Sequence, residues 1–382
     1  MENDKCRLYL VGCLTMLLLI ASPAAAVESI VTDDSVTVTT QEKAVKAKKR
    51  NRLYEFVKKF NRIDTTYIEP QHYNYTMMLQ NTTTYEVYYL SSKSGQEVTF
   101  APRPSFKVGP YFGWRWVFLG YTFDINHLSN SNRRKEIDIS LYSSQIGIDL
   151  FYRNTGDDYR IRSVVYGNEK VRPKDLSFSG IEVGIKGVNV YYIFNHHKFS
   201  YPAAFSQSTI QKKSCGSPLL GIGYTNHSLK LDYDKFRDVI SEVAKDYDKE
   251  KVDSGLMFNR VDYDDYSISG GYAYNFVFAR NWLLAASLSI AVAYKKSVGE
   301  MESRKLRLRD FEFSNFNFDA IGRFGIVYNN MKWYCGANVV LHGYSYRKTQ
   351  FSTNNVFGSL NIYLGMNFGK MKRYRRKKNE NG

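Results

Sequence analysis

The segment from Asn195 to Ser217, NHHKFSYPAAFSQSTIQKKSCGS, gathers the residue types that hydrolytic chemistry uses. His196 and His197 stand near Ser206, Ser208 and Cys215, and acyl transfer needs a histidine base beside an activated nucleophile. No acidic or amide orienter is fixed by spacing, although Asn195 and Gln207 are close. Asn226, His227 and Ser228 make a second cluster, equally unspecific. Triads are set by geometry and roles rather than by adjacency, so the favoured expectation is non-catalytic. In it, Phe199, Ser200, Tyr201, Pro202, Phe205, Ser206, Gln207 and Ser208 belong to a folded plug or inward loop, with Ser and Gln side chains capping its turns.

Metal and cofactor chemistry finds less support. The six histidines are scattered, neither C-x-x-C nor H-E-x-x-H occurs, and neighbours such as His196 and His197 point to opposite faces of an extended chain. No metal or cofactor site is expected. After residue 26 the cysteines are Cys215 and Cys335. An oxidising compartment would allow them to pair, but Cys335 shares the apolar parity of its strand, which argues against it.

The elements that must position these residues are strands with two unlike faces. Tyr266, Ile268, Tyr272, Tyr274, Phe276 and Phe278 alternate with Ser267, Ser269, Gly271, Ala273 and Asn275, the period of an extended chain. The large residues form one face, and the other looks too small and polar to be a core. The pattern returns in Trp282–Tyr294, Phe316–Tyr328, Trp333–Leu341 and Val356–Phe368. The polar parity then collects Asn275, Asn317, Asp319, Arg323, Asn338, His342, Asn361 and Asn367, which are expected to face a wet or hydrogen-bonded lumen. A soluble sandwich is the main alternative, because alternation alone does not say which face is wet.

Further strands are expected at about 73–90, 96–112, 114–125, 136–152 with a bulge near Ser143–Gln145, 158–166, 180–195 and 217–231. The total is an antiparallel transmembrane β-barrel of about 12 strands. Short breaks at Gly113–Trp114, Asn154–Asp158, Arg280–Asn281 and Asn329–Asn330 should lie at one end, and the longer connections at the other. A helix is expected in the longest outer loop, where Phe236, Val239, Ile240, Val243 and Tyr247 form one stripe.

The first residues suggest export. Lys5 and Arg7 precede the apolar run Leu8–Ile20, and Ala24 and Ala26 have signal-peptidase spacing, so residues 1–26 are expected to be a signal peptide. Lipidation at Cys13 would need a very short apolar core. Residues 27–63 are expected to be a periplasmic leader with a basic amphipathic helix carrying Leu53, Phe56, Val57, Phe60 and Ile63. The barrel should span 64–369 and a basic tail 370–382. A mean hydropathy of −0.41 resembles that of a soluble chain, yet barrels hide their lipid face in alternation. The 31 tyrosines and 24 phenylalanines suit interfacial girdles.

The net charge of +16 is concentrated in KAKKRNR at Lys46–Arg52 and KMKRYRRKK at Lys370–Lys378. In an exported barrel these runs would meet outer-membrane lipids, anionic headgroups or cell-wall polymers, while nucleic acid is excluded as a partner by compartment. Gly365 and Phe368 are spaced like part of the terminal signal read by the barrel-insertion machinery, though fourteen residues follow.

Three strings carry a resemblance: FSYPAAFSQST at Phe199–Thr209, DTTYIEPQHYNYTMMLQ at Asp64–Gln80 and YFGWRWVFLGYTFDI at Tyr111–Ile125. On these the chain resembles an uncharacterised family of predicted outer-membrane β-barrel proteins from the Bacteroides group of bacteria, classed as a domain of unknown function. The resemblance covers the chain from about residue 50 and implies a barrel and a compartment, but no catalytic or binding residues. The expected function is a narrow channel or membrane scaffold with an internal plug. The alternatives are an enzyme modifying lipid or lipopolysaccharide, with Ser206 or Ser208 and His196 or His197, and a cell-envelope assembly partner.

Overall fold

The computed structural model describes residues 63–114, 117–120, 123–124, 135–154, 156, 159–166, 169–174, 176–243, 260–297, 316–347 and 351–375. The expected signal peptide, the Cys13 alternative, the leader helix, Tyr247 and the end of the basic tail lie outside these residues.

In chain order the strands are β1 (Ile68–Pro70), β2 (Tyr73–Ser92), β3 (Glu97–Pro102), β4 (Ser105–Trp114), β5 (Val117–Gly120), β6 (Phe123–Asp124), β7 (Lys135–Tyr142) and β8 (Ile146–Asn154). Then come β9 (Tyr159–Tyr166), β10 (Glu169–Val171), β11 (Leu176–Phe178), β12 (Ile181–Ile193), helix α1 (Tyr201–Phe205), β13 (Thr209–Gln211) and β14 (Cys215–Leu231). Helix α2 (Tyr233–Val243) leads to β15 (Arg260–Ala279), β16 (Trp282–Ser297), β17 (Phe316–Asn329), β18 (Trp333–Arg347), β19 (Phe351–Lys370) and helix α3 (Lys372–Arg375). Antiparallel ladders join β7 to β8, β8 to β12, β12 to β14, and then β15 through β19 in order. From β19 they continue to β2, β4 and the broken strand β5–β6. The sheet thus curls into a barrel; no register is described for its β6–β7 edge, which adjoins residues 125–134.

Strand alternation sorts the side chains as the sequence implies. Ile268, Tyr272, Tyr274, Phe276 and Phe278 are exposed on the outside, while Ala273 and Asn275 are buried on the inside. Tyr224, Tyr266, Tyr294 and Phe316 stand in register across four strands. At the opposite end Trp282 packs on Tyr328 at 5.3 Å, and Tyr75 on Phe368 at 5.5 Å. Aliphatic residues such as Leu220, Ile222, Leu284, Leu288 and Ile290 fill the band between them.

Three expected strands are corrected: 96–112 divides into β3 and the wall strand β4, and the other two changes offset, leaving about twelve wall strands. The expected strand at 136–152 is a hairpin, β7–β8, and not one strand with a bulge. Ser143 reverses the chain: its amide donates to Ile146 O at 2.9 Å and its Oγ accepts from the Ile146 amide at 2.9 Å. A tight reversal switches the apolar parity just as a bulge does, which is why the two look alike in sequence. The expected wall strand at 158–166 is β9, which pairs with β3, β10 and β11. Tyr159, Arg160, Ile161 and Ser163 are all buried, so β9 has no lipid-type face.

The fork arises at β2. Its first half pairs with β4 and its second half with β3, and the bend between β3 and β4 falls at Pro102-Arg103-Pro104, where ladder donors are missing. Consequently the Asn154–Asp158 break lies at the long-loop end, beside Gly184, and Ser143–Gln145 takes its place among the short turns. The expected outer-loop helix is α2, with Phe236 buried and Val239 packed against the same cluster.

Candidate functional site

The connection from β12 to β14 folds back into the barrel at the short-turn end. The amides of Lys198 and Phe199 donate to Asn195 O at 3.1 and 2.8 Å, and Asn195 Nδ2 donates to Gly216 O at 2.8 Å. Ser200 then caps α1, its Oγ accepting from the Ala203 amide at 3.3 Å, and Pro202 fits the first turn because its missing N–H has no helical partner there. Phe199, Ser200, Tyr201, Pro202, Ala203 and Ala204 are buried, and Phe205 packs beside them.

Four wall strands hold this plug. Asn275 Nδ2 donates to Ser200 O at 2.8 Å, Tyr201 OH to Ser287 Oγ at 2.7 Å, Gln207 Nε2 to Tyr363 OH at 2.7 Å and Asn329 Nδ2 to Gln207 O at 3.3 Å. Those ties keep Gln207 in the left-handed region at φ +53°, unusual for a residue with a Cβ. Beneath the plug, β13 pairs with β1, and the Asp64 amide donates to His197 O at 2.7 Å.

The candidate catalytic residues are engaged elsewhere. Ser206 Oγ donates to Pro202 O at 3.3 Å and lies 3.1 Å from Ser208 Oγ. Both serines border a cleft against Tyr73, Thr76, Tyr334 and Asn367 with room for about one water. His196 donates from Nδ1 to Ile193 O at 3.3 Å, so Nε2 is the acceptor for the Gln145 amide at 2.8 Å. Burial, followed by the neighbouring His197 ring, holds its pKa below the ordinary imidazole value. Cys215 and Cys335 are free thiols.

Above the plug lies a belt of ion pairs, fully buried at Lys295 and Arg323 and reaching partly exposed partners at Asp138 and Lys107. Arg323 of β17 bonds Asp149 of β8 across the interior and stacks 5.2 Å over Tyr191. Lys295 has no solvent-accessible surface; its Nζ is 2.7 Å from Asp319 and 3.1 Å from Asp265, with the Tyr344 ring 5.4 Å away. Arg153 bonds Asp138 at 2.7 Å and lies over Phe357, and Lys107 bonds Glu136 at 2.7 Å. Removing charges from water is costly, and such pairs persist because each charge has its partner.

The long-loop half contains an apolar core. Phe100, Tyr159, Ile161 and Phe178 of the inner sheet, with Phe236 of α2, meet Leu90, Phe151, Ile185, Leu229 and Phe357 of the wall. The expected small, polar inner face is therefore overturned for this half: its inward residues are large because an inner sheet packs on them.

The eight candidate lumen residues all occupy the interior side. Asn275 ties the plug; Asn317 Oδ1 accepts the Arg347 amide at 3.2 Å; Asp319 and Arg323 carry the ion pairs. Asn361 Nδ2 donates to Asn338 Oδ1 at 2.9 Å, and Asn367 Nδ2 to Met331 O at 2.8 Å. His342 stacks on Phe357 at 4.9 Å. Lys295, Asp265, Asp149 and Arg153 escaped the sequence reading. Lys295 was within reach of it, since it shares the parity of Ala291 and Ala293, one residue past the point where the strand was ended.

A family model described as a domain of unknown function, DUF4421, matches residues 62–368. The chain belongs to this family. The DUF4421 match takes in the plug, the belt and the inner sheet. No curated protein matches the chain. Among solved structures it is similar to the outer membrane protease OmpT from Escherichia coli, at 7% identity and a TM-score of 0.36, covering 77% of this chain and 97% of that one. It is also similar to the outer membrane protein OprG from Pseudomonas aeruginosa (8% identity, TM-score 0.24, 78% and 98% covered). A third is the toluene transporter TodX of P. putida (9%, 0.22, 78% and 91%). Likenesses this distant carry no activity over to the DUF4421 chain.

Proposed function

We propose that this DUF4421 protein is a bacterial outer-membrane barrel that works as a non-catalytic, plugged scaffold, closed to solutes in the state seen here. The filled interior carries the reading. A conducting lumen keeps its charged residues hydrated, whereas Lys295, Arg323 and Asp149 are buried between a plug and an apolar inner sheet. The outer face supports the membrane setting. From Trp282 to Tyr294 the strand covers about 40 Å, which at barrel tilt is about 30 Å of height, close to a hydrocarbon core.

Planar-bilayer recording tests the proposal. The intact protein should give no steps, and deleting Ser200–Ser214 should leave conductance absent or small because the inner sheet still blocks the other half. Steady open-channel currents from the intact protein would refute it. The enzyme reading is weaker, since the described bonds of Ser206 and Ser208 run to Pro202 and to each other. Phospholipid turnover lost in Ser206→Ala or Ser208→Ala would revive it.

A further inference from the structure

The two ends of the barrel differ in the mixture of their charges. At the long-loop end both signs are interspersed: Lys230 pairs with Glu182 at 2.9 Å, Lys235 with Asp232 at 3.3 Å and Arg260 with Asp262 at 2.6 Å, and the cations without an ion pair among the described residues, Lys93, Lys170, Arg172, Lys174 and Arg347, share that end with Glu97, Glu169 and Asp234. At the short-turn end Lys198, Lys212, Lys213, Lys332, Lys370 and Lys372 are exposed, and among the described residues none of them forms an ion pair with a carboxylate. The acids there among the described residues are Asp64 and Glu69, bonded by Thr66 and His72, and Asp64 also feels Lys198 and Lys213, so two acids face six lysines. A field with an excess of one sign attracts a partner of the other.

We propose that this face is a docking surface for an acidic polypeptide segment. Its placement argues against a lipid as the principal occupant. Lys332 and Lys370 lie at the ends of wall strands, where headgroups reach, but Lys198, Lys212 and Lys213 stand on the plug connection beside the β1–β13 pair and on no wall strand. The plug cations are also positioned. Lys198 and Lys213 lie 5.2 and 5.4 Å from the Tyr67 ring, and Lys212 Nζ donates to Thr65 O at 3.3 Å. The β1–β13 pairing fixes the backbone on which they stand. A sugar polymer would need a seat for its rings, and the adjoining cleft admits about one water. An extended chain of Asp and Glu carboxylates needs only the spread of ammonium groups. The inference rests on this surface and holds whether or not the barrel conducts.

The full chain in dodecyl-maltoside micelles is titrated with fluorescent poly-L-glutamate at low salt, read by anisotropy. Binding should weaken about tenfold in Lys198→Gln/Lys212→Gln/Lys213→Gln, less in Lys332→Gln/Lys370→Gln, and vanish at high salt. Heat-modifiable gel mobility checks that each variant is folded; should the triple variant fail it, Lys212→Gln alone is used, expected to weaken binding about twofold. Unchanged binding in the plug variants overturns the proposal. So does tighter binding of polygalacturonate, or binding confined to phosphatidylglycerol vesicles and lost only with the rim variant.

Discussion

Lys295 has two carboxylates within ion-pair distance and no water. Changing it to Met leaves Asp265 and Asp319 buried without their cation, so Lys295→Met should cost about 3–5 kcal/mol in urea unfolding from micelles. Lys295→Met with Asp265→Asn and Asp319→Asn should recover most of that loss, since an apolar or neutral replacement of the whole set removes the desolvation cost as well. His196 makes a pH prediction. Its folded pKa lies below the unfolded value of about 6.5, so the neutral ring's contribution is present above that value. It is lost as pH falls towards the folded pKa. Trypsin cleavage at the plug lysines, taken relative to its cleavage of an unfolded substrate at the same pH, should therefore be faster at pH 5 than at pH 7.5. His196→Gln should flatten the difference, because an amide has no proton to gain.

Among the elements, the outer halves of the wall strands were legible and the inner sheet was not. Tyr266–Phe278 announces itself because one face meets an apolar surround and the other meets small residues. Nothing comparable marks β9: apart from Arg162 both of its faces are largely buried, so it shows no sorted alternation and reads like any short strand. The β7–β8 hairpin failed for a different reason, since Ser143–Gln145 contains neither Gly nor Pro and turns through a serine side chain. The segment from Asn195 to Ser217 stands out in the sequence, but its wall partners Ser287, Tyr363 and Asn329 come from distant strands that sequence spacing does not relate to it. Tyr363→Phe removes the nearer of the two acceptors of the buried Gln207 amide, the other being Ala204 O. It should destabilise the plug by about 1–3 kcal/mol, measurable as faster amide exchange across Ser200–Gln211. In the inner sheet, Phe100→Ala should cost about 3–5 kcal/mol by leaving a cavity, without changing exchange at the plug.

At the largest scale, the described residues from Asp64 onward form a barrel filled at both ends by different means, polar and tied at one, apolar and packed at the other. If the aromatic rows mark the two membrane interfaces, brominated lipids should quench Trp282 and Trp333 most strongly when the bromine lies near the headgroups, and weakly at the acyl ends. The chain order of the plug has a kinetic consequence. It follows β12, but two of its anchors, Asn329 and Tyr363, belong to β17 and β19, and β19 pairs with β2 at the join between the last and first long strands. The plug's hydrogen bonds to the wall should therefore be completed late, close to the moment the seam zips shut. Weakening them should accelerate unfolding and leave the rate of insertion into vesicles almost unchanged. A plug residue whose substitution slowed insertion would mean that the segment is seated before the seam forms, as a template on which the last strands assemble.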